Sequence, residues 1–523
     1  MSRFLLFLAS LCAVTLSVAA APAAQSSRAP NFLILLADDM GFSDAGCYGG
    51  EIATPNLDRL AQEGVRFTQA YNTARCWPTR GALLTGFYAQ HIRRDAFPDE
   101  PTAVGTKGVR PAWARLLPAL LKQAGYASYH SGKWHVDGTP QEGGFDRSYT
   151  LLDQDRYFSP KNHALDGEKL PAGQADFYAT TAIADHAIEF LKAHAAQTPK
   201  KPFLSFVAFT APHFPLHALP EDIEKYKGRY GEGADALREA RLQRLWEKGM
   251  LSNAELAEPP PPAKDWRTLS EAERAAFAAR MEVHAAMVDR MDREIGRILD
   301  ELRAAGSLDN TVVLFLSDNG ASAESLVRGD GNQQGASPGS AQSFLCLEAQ
   351  GANLANTPLR YSKMFVHEGG ISTPLIVRWP VGIKGKGELR EQPVHVVDIV
   401  PTLLKLAGVP WPKKVGEQPV PPPDGTDISG VIRENKPITV RPLWWAHQGH
   451  RAFRLGDWKW VALQGKPAEL YYLKGDRAES RDLAAANPER LGEMEAQWNR
   501  LNSKMREESR GPAENPERAA QTQ

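Results

Sequence analysis

Neither sign of charge is in surplus: 61 lysines and arginines stand against 62 aspartates and glutamates, a formal net charge of −1. A chain so balanced has no global pull on nucleic acid, and no polybasic face stands out along it. A local patch for an acidic polymer survives such a sum. Long hydrophobic runs are scarce too. The apolar stretch Phe4 to Val18 follows the basic start Met1-Ser2-Arg3 and leads into Ala19-Ala20-Ala21 and Ala23-Ala24. That order is the anatomy of a secretory signal peptide, expected over 1–24, with an apolar part too short for a membrane span. Leu11 before Cys12 is not the small residue of a lipoprotein cleavage site. No later stretch approaches spanning length, so the mature chain is expected to be soluble and exported, periplasmic or secreted. Cysteine is rarest of all: Cys12, Cys47, Cys76 and Cys346. Cys12 leaves with the signal peptide. Three thiols in an oxidising compartment leave at least one unpaired or otherwise employed. A buried free thiol is the plain explanation.

What is present points to an α/β enzyme-sized chain. At about 150 residues per domain, 523 residues suggest two to four domains, a rule that large α/β proteins often break. Asn31 to Ala37, Phe203 to Thr210 and Thr311 to Leu316 are continuous apolar runs of strand length, as strands buried on both faces require. Pro374 to Val377 is a weaker fourth. Helical stretches lie between them: Asn56–Glu63, Trp113–Ala124 (with Pro118 suited only to a first turn), and about Ser270–Ala305. In the last, Val288, Met291, Ile295, Ile298 and Leu302 recur by threes and fours and make one apolar stripe. Alternating strands and helices predict a large, mostly parallel sheet flanked by helices.

Glu258 to Pro262 and Trp411 to Asp424 are proline-rich and read as surface excursions. Beyond them, Leu443–Ala446, Arg451–Leu455 and Trp458–Leu463 predict a small antiparallel sheet, and Pro488–Arg506 a helix. The expected division is a catalytic domain over 30–432, a smaller α+β domain over 433–508, and a polar, disordered tail over 509–523. No internal repeat is present.

Two strands end in oxygen-rich tetrads, Asp38-Asp39-Met40-Gly41 and Ser317-Asp318-Asn319-Gly320; a third ends at Ala211-Pro212-His213. Ligand sites of parallel sheets lie beyond the carboxyl ends of the strands. Asp38, Asp39, Asp318 and Asn319 offer only oxygen, which suits a hard cation, Ca²⁺ ahead of Mg²⁺, rather than zinc. Asp or Asn near Gly at a strand end also simply makes turns, so either pair alone is ambiguous.

The segment Cys76-Trp77-Pro78-Thr79-Arg80, followed by Thr85-Gly86, resembles the signature of the sulfatase family, in which the cysteine is oxidised to formylglycine. Trp77 and Thr79 stand where that family more often has small residues, while the fixed Cys, Pro and Arg are intact. The resemblance runs from about Pro30 to Leu483. It takes in NFLILLADDMG, TPNLDRLA, Gly132-Lys133-Trp134-His135, Ala211-Pro212-His213-Phe214-Pro215, Ser317-Asp318-Asn319-Gly320, Lys363 ahead of His367-Glu368-Gly369-Gly370, and the closing ELYYL and RDL. It implies an alkaline-phosphatase-like fold and a sulfate-ester hydrolase matured by a formylglycine-generating enzyme. It also implies that the modified Cys76 joins Asp38, Asp39, Asp318 and Asn319 around the metal.

The implied roles agree with elementary chemistry. Hydrated formylglycine carries two geminal hydroxyls: one attacks sulfur, and deprotonation of the other expels sulfate, which divides one difficult displacement into two. Lys133 and Lys363 are the expected sulfate contacts. Arg80, four residues after Cys76, lies on the same helical face and positions it. His135 is the expected base. His213 is expected to bind sulfate and protonate the leaving alcohol, roles that it and Lys363 can exchange. His217 and His367 are further candidates to line the pocket; His395 and Asp398 read as structural. Trp444, Trp445, His447, His450 and Arg451 suit either a sugar-stacking rim or the core of the small sheet. The expected substrate is a sulfated saccharide or an aryl sulfate. A phosphoester or phosphonate hydrolase of the same superfamily and a non-catalytic glycan-binding relative are the alternatives.

Overall fold

The computed structural model describes residues 29–98, 108–173, 176–252, 255, 265–329 and 331–510. The expected signal peptide, the Glu258–Pro262 stretch and all but the start of the expected tail lie outside the described residues. The apolar runs become strands. In chain order the main sheet comprises β1 (Asn31–Ala37), β2 (Val65–Tyr71), β3 (Ala127–Lys133), β4 (Arg147–Leu151), β5 (His163–Leu165), β6 (Glu168–Lys169), β7 (Phe203–Ala208), β8 (Thr311–Ser317), β9 (Ser372–Arg378), β10 (Glu388–Arg390) and β11 (Val394–His395). Their order is β10-β2-β9-β8-β1-β7-β3-β4-β5-β6, with β11 on β2.

β1 sits at the centre, parallel to β7 on one side and β8 on the other, and β3 continues parallel beyond β7. β9 runs antiparallel between β8 and β2, so the sheet is mixed while β2 keeps the direction of β8. Every residue of β1 is buried. Leu33, Leu35 and Ala37 enter the core on one face, with Phe32, Ile34 and Leu36 in the core on the other. This is the period of two that a doubly covered strand demands.

The first face is covered by the helices Ala179–Gln197 and Glu271–Ala304. Ser270 and Glu273 form a capping box that fixes the start of the longer helix. The expected stripe from Val288 to Leu302 is fully buried. The expected helix Trp113–Ala124 is shorter: Leu117–Leu121 is helical, with Pro118 in its first turn, and Lys122–Ala124 is a 3₁₀ turn. Proline cannot donate within a helix and clashes with the preceding turn, so the helix cannot extend back to Trp113. The stretch from Trp411 to Asp424 holds a two-stranded hairpin, β12 (Lys414–Val415) and β13 (Gln418–Pro419).

The smaller sheet is an antiparallel meander of β14 (Pro442–His447), β15 (His450–Leu455), β16 (Trp458–Ala462) and β17 (Ala468–Tyr472), followed by the helix Pro488–Glu508. Trp444 and Trp445 are core. Trp444 stacks on Trp498 of that helix at 5.3 Å, while Trp445 points at the large sheet and donates to the Asn72 carbonyl at 2.7 Å. Both faces of the meander are therefore covered. Arg451 lies over the rings of Trp460 and Trp498, and His450 stacks on Phe365.

Charge also joins the two sheets. Lys459 of β16, fully buried, has its ammonium 2.9 Å from Glu368 and 2.8 Å from Glu479. Arg477 and the Tyr71 hydroxyl reach the other oxygen of Glu368 at 3.2 and 2.8 Å. Glu368 follows the segment that carries Lys363, so this cluster ties the smaller sheet to the floor of the site.

Candidate active site

Four parallel strands deliver polar groups to one edge of the sheet. Asp38 and Asp39 follow β1, Lys133 ends β3, His213 follows β7, and Asp318 and Asn319 follow β8. Each tetrad needs its glycine. A Cβ on Gly41 would lie 2.3 Å from the Ala355 carbonyl oxygen, and one on Gly320 would lie 1.8 Å from that of Gly369. Asp39 and His135 take left-handed backbone, φ 66° and 56°. Such conformations are costly and concentrate at functional sites. Asp44 braces the first tetrad from behind: its carboxylate accepts from the Gly41 amide, His284 and Arg241, each at 2.9 Å.

Cys76 opens the helix Cys76–Thr85, wholly buried and closed by Gly86 in the left-handed region. Arg80 lies one turn on, as expected, with no exposure. Its Nε and Nη2 donate to Asp318 at 3.0 and 2.8 Å and its Nη1 to the Lys133 carbonyl at 2.7 Å. Lys133 Nζ lies 2.5 Å from Asp38. Lys363 Nζ lies 2.9 Å from Asp39 and 3.3 Å from Glu324. His213 Nε2 lies 3.7 Å from Asp39, and its Nδ1 lies 2.5 Å from the Phe214 carbonyl. That carbonyl can only accept, so Nδ1 carries the hydrogen and a neutral ring turns its Nε2 lone pair to the site. Asn319 donates to Asp39 at 2.5 Å.

The electrostatics of so many buried charges are strongly perturbed. Burial alone would raise Asp38, but Lys133, His213, Arg80 and Lys363 together hold its carboxyl far below the usual range. Asp318 goes the other way: burial, and then the charge of Asp38, push it up to about 7 despite Arg80. Burial raises the Cys76 thiol, against the pull of Lys133 and Lys363. Burial and Lys363 drive His213 well below the ordinary histidine value.

The donor set fits a hard cation. One ligand atom each from Asp38, Cys76 and Asp318 lie within 4.8 Å of one another, as do those of Asp38, Asp39 and His213. Asp38 Oδ1 and Asn319 Oδ1 are buried with no hydrogen-bond partner. Buried oxygens rarely go without one, and a cation bound among them is the usual remedy.

The expected residues thus converge, with differences at the margin. His135, half-buried, packs edge-on against Trp77 at 5.9 Å, and His447 packs on the same indole at 5.8 Å. His447 is held by Asp95 at 2.7 Å, so this member of the smaller sheet approaches the site where the tryptophans do not. His217 lines a neighbouring cavity. His367 is bound to Glu469 at 2.7 Å. His395 and Asp398 form the cap of a short helical turn, Val396–Asp398. Cys47, Cys76 and Cys346 are buried free thiols. No local pattern marks Glu324 or Asp95; His447 is one of the rim candidates of the small sheet, and Phe214, over whose ring Lys363 Nζ sits at 5.4 Å, lies within the histidine segment.

Comparison with known proteins agrees with this geometry. The sulfatase family profile matches residues 30–409, and the profile of the N-sulphoglucosamine sulphohydrolase C-terminal region matches 359–485. An uncharacterized sulfatase of Schizosaccharomyces pombe is 35% identical over 523 aligned residues, covering 90% of this chain and 93% of the relative. An arylsulfatase of Klebsiella aerogenes is 31% identical over 460 residues, covering 81% and 96%. Among solved structures, Ps i-CgsB superposes with a TM-score of 0.67 at 24% identity over 91% of this chain and 93% of that one; it has also been solved in complex with k-i-k-neocarrahexaose. The chain belongs to the sulfatase family, and is a sulfuric ester hydrolase.

Proposed function

We propose that the protein hydrolyses sulfate esters of exported or environmental saccharides at residue 76, matured from Cys76 to formylglycine, with Ca²⁺ held by Asp38, Asp39, Asp318, Asn319 and residue 76. The observation that carries this reading is the convergence of a buried thiol, three cationic side chains and a set of oxygen donors at one sheet edge, two of the oxygens without partners. Bound calcium supplies positive charge that lowers the pKa of a nearby hydroxyl and polarises a sulfate oxygen. The matured residue supplies one hydroxyl to attack sulfur and a second whose deprotonation releases sulfate.

The remaining work falls to the side chains. Lys133 and Lys363, each already facing a carboxylate, bind the sulfate oxygens and stabilise charge that builds there during transfer. Arg80, bonded to both Asp318 and the Lys133 carbonyl, is a rigid strut that positions residue 76. His135 takes the proton from the second hydroxyl. Lys363 binds sulfate and protonates the leaving alcohol; His213, neutral in the free site, takes a share of these roles only once the negative charge of bound sulfate puts a proton on its Nε2. Export follows from the basic, apolar and small-residue order of the N-terminus, with cleavage near residue 24. Maturation requires a formylglycine-generating enzyme in the same cell.

The test is protein co-expressed with such an enzyme and assayed side by side on para-nitrophenyl sulfate, para-nitrophenyl phosphate and a panel of sulfated sugars. Faster cleavage of sulfates is the expected outcome. Faster cleavage of the phosphate would favour the phosphoester alternative, and sugar binding without any cleavage the non-catalytic one.

A further inference from the structure

A cavity of about 170 Å³ adjoins the segment that follows His213, lined among others by Asp155, Tyr157, His217, Arg328 and Phe344. Several contacts join it to the site. The Tyr157 hydroxyl lies 2.6 and 2.9 Å from the carbonyl oxygens of Thr210 and His213. Arg328 lies over the ring of Phe214 at 5.5 Å, and Lys363 lies over the same ring at 5.4 Å. Asp155 feels the charge of Arg328 first, and then those of Lys133 and Asp38. Tyr157 and the Phe214 ring thus link the cavity wall to the segments that carry His213 and Lys363.

The wall states what it would accept. His217 Nε2 lies 2.8 Å from the Ser343 carbonyl, which can only accept, so Nε2 carries the hydrogen and Nδ1 is an acceptor. That Nδ1 is buried without a partner, and so is Asp155 Oδ1. Two unmet acceptors call for two O–H or N–H donors. Arg328 is exposed; its charge acts on Asp155 across the cavity, but no carboxylate among the described residues comes within salt-bridge distance of it. Its planar fork of donors suits a carboxylate or sulfate. An aryl ring meets none of these needs; a sugar ring meets the first two with hydroxyls. The volume is below the ~300–1,000 Å³ of pockets for larger ligands, so one ring fits rather than a chain.

We propose that this cavity selects the alcohol half of the substrate: a single sugar ring that donates to Asp155 and His217 and carries, besides the scissile sulfate, a second acidic group paired with Arg328. This deepens the sulfatase reading above and rests on it.

The experiment compares matched O-sulfated hexoses and hexuronates, which differ only in one carboxylate, on the mature enzyme and on its Arg328→Ala and Arg328→Lys variants. At the preferred sulfate position, kcat/KM for the hexuronate should exceed that for the hexose at least tenfold. The ratio should fall to within threefold of one in Arg328→Ala and lie between in Arg328→Lys. A wild-type ratio near one, or a ratio unchanged in Arg328→Ala, overturns the proposal. Cleavage of para-nitrophenyl sulfate with neither sugar cleaved also overturns it, and leaves the hydrolase reading standing. If nothing is cleaved, that reading fails, and calorimetry of the two sugars on the Cys76→Ala protein decides. Tighter hexuronate binding that is lost on adding Arg328→Ala supports the cavity's selectivity; equal Kd values overturn it.

Discussion

Replacing Lys459 with methionine should destabilise the protein in a manner that acid partly reverses. The ammonium of Lys459 sits 2.9 Å from Glu368 and 2.8 Å from Glu479, all three fully buried. Methionine fills similar space but leaves Glu368 with Arg477 at 3.2 Å, the Tyr71 hydroxyl and the more distant Arg454, and leaves Glu479 with no cation in salt-bridge distance among the described residues. Removing one member of a buried ion pair costs about 3–5 kcal/mol, because the charge left behind is no longer compensated. At about 2.1 cal/mol/K per residue, a chain of this length loses roughly 3–5 °C in thermal midpoint. The pH dependence is the sharper signature. Burial pushes Glu368 upward, but Lys459, Arg477 and Arg454 outweigh it and hold the carboxyl at about 2. In the native protein this group stabilises the fold fully above its ordinary value near 4.5, and its contribution is lost as pH falls from there toward 2. Without Lys459, burial gains the upper hand and the carboxyl rises, so mild acid should protonate and relieve it. The assay is differential scanning calorimetry of both proteins between pH 7.5 and 4.5. The gap between midpoints should be widest at pH 7.5 and narrow on acidification. A gap that is constant with pH, or smaller than about 1 kcal/mol throughout, would refute the reasoning.

Three further outcomes are expected. Calcium at a hundredfold over its Kd should stabilise the protein by about 2.7 kcal/mol, read as a rise in thermal midpoint, and Asp318→Asn should abolish the rise. Gly320→Ala, whose new Cβ would sit 1.8 Å from the Gly369 oxygen, should displace Asn319, weaken calcium binding by calorimetry and cost at least about 1–3 kcal/mol of stability. Burial, aided by Arg441, pushes His395 down to about 3, so it folds neutral and opposes protonation. Stability should therefore drop as pH falls from about 6.5, by about 2 kcal/mol at pH 5.0; denaturant midpoints should show a smaller loss on acidification in His395→Asn.

The parts of this molecule that a reader of the sequence could see are those with a local signature. β1 and β8 announce themselves as unbroken apolar runs because both of their faces are buried, and the tetrads that end them mark the carboxyl edge of the sheet. Cys76 and Arg80 share a helix, so their spacing alone puts them on one face. The outer rim of the site is harder to read. Glu324 meets Lys363, and Asp155 neighbours Lys133, only after loops far apart in the chain fold over the sheet edge, and no spacing encodes that. Nor could Trp444 and Trp445 be sorted. Alternate residues of a strand face opposite ways, but here each face meets its own apolar layer, one built with Trp498 and one with Tyr71. The usual alternation of polar and apolar residues is therefore absent. His447, two residues on, leaves that core and is the one that reaches Trp77.

The central claim is that residue 76, once matured, is the nucleophile for sulfate-ester cleavage. It is tested most directly by sulfate release from para-nitrophenyl sulfate by protein whose residue-76 peptide has the mass of an aldehyde, beside the Cys76→Ala variant. The account predicts release by the first and none above background by the second. Equal release from both would contradict it.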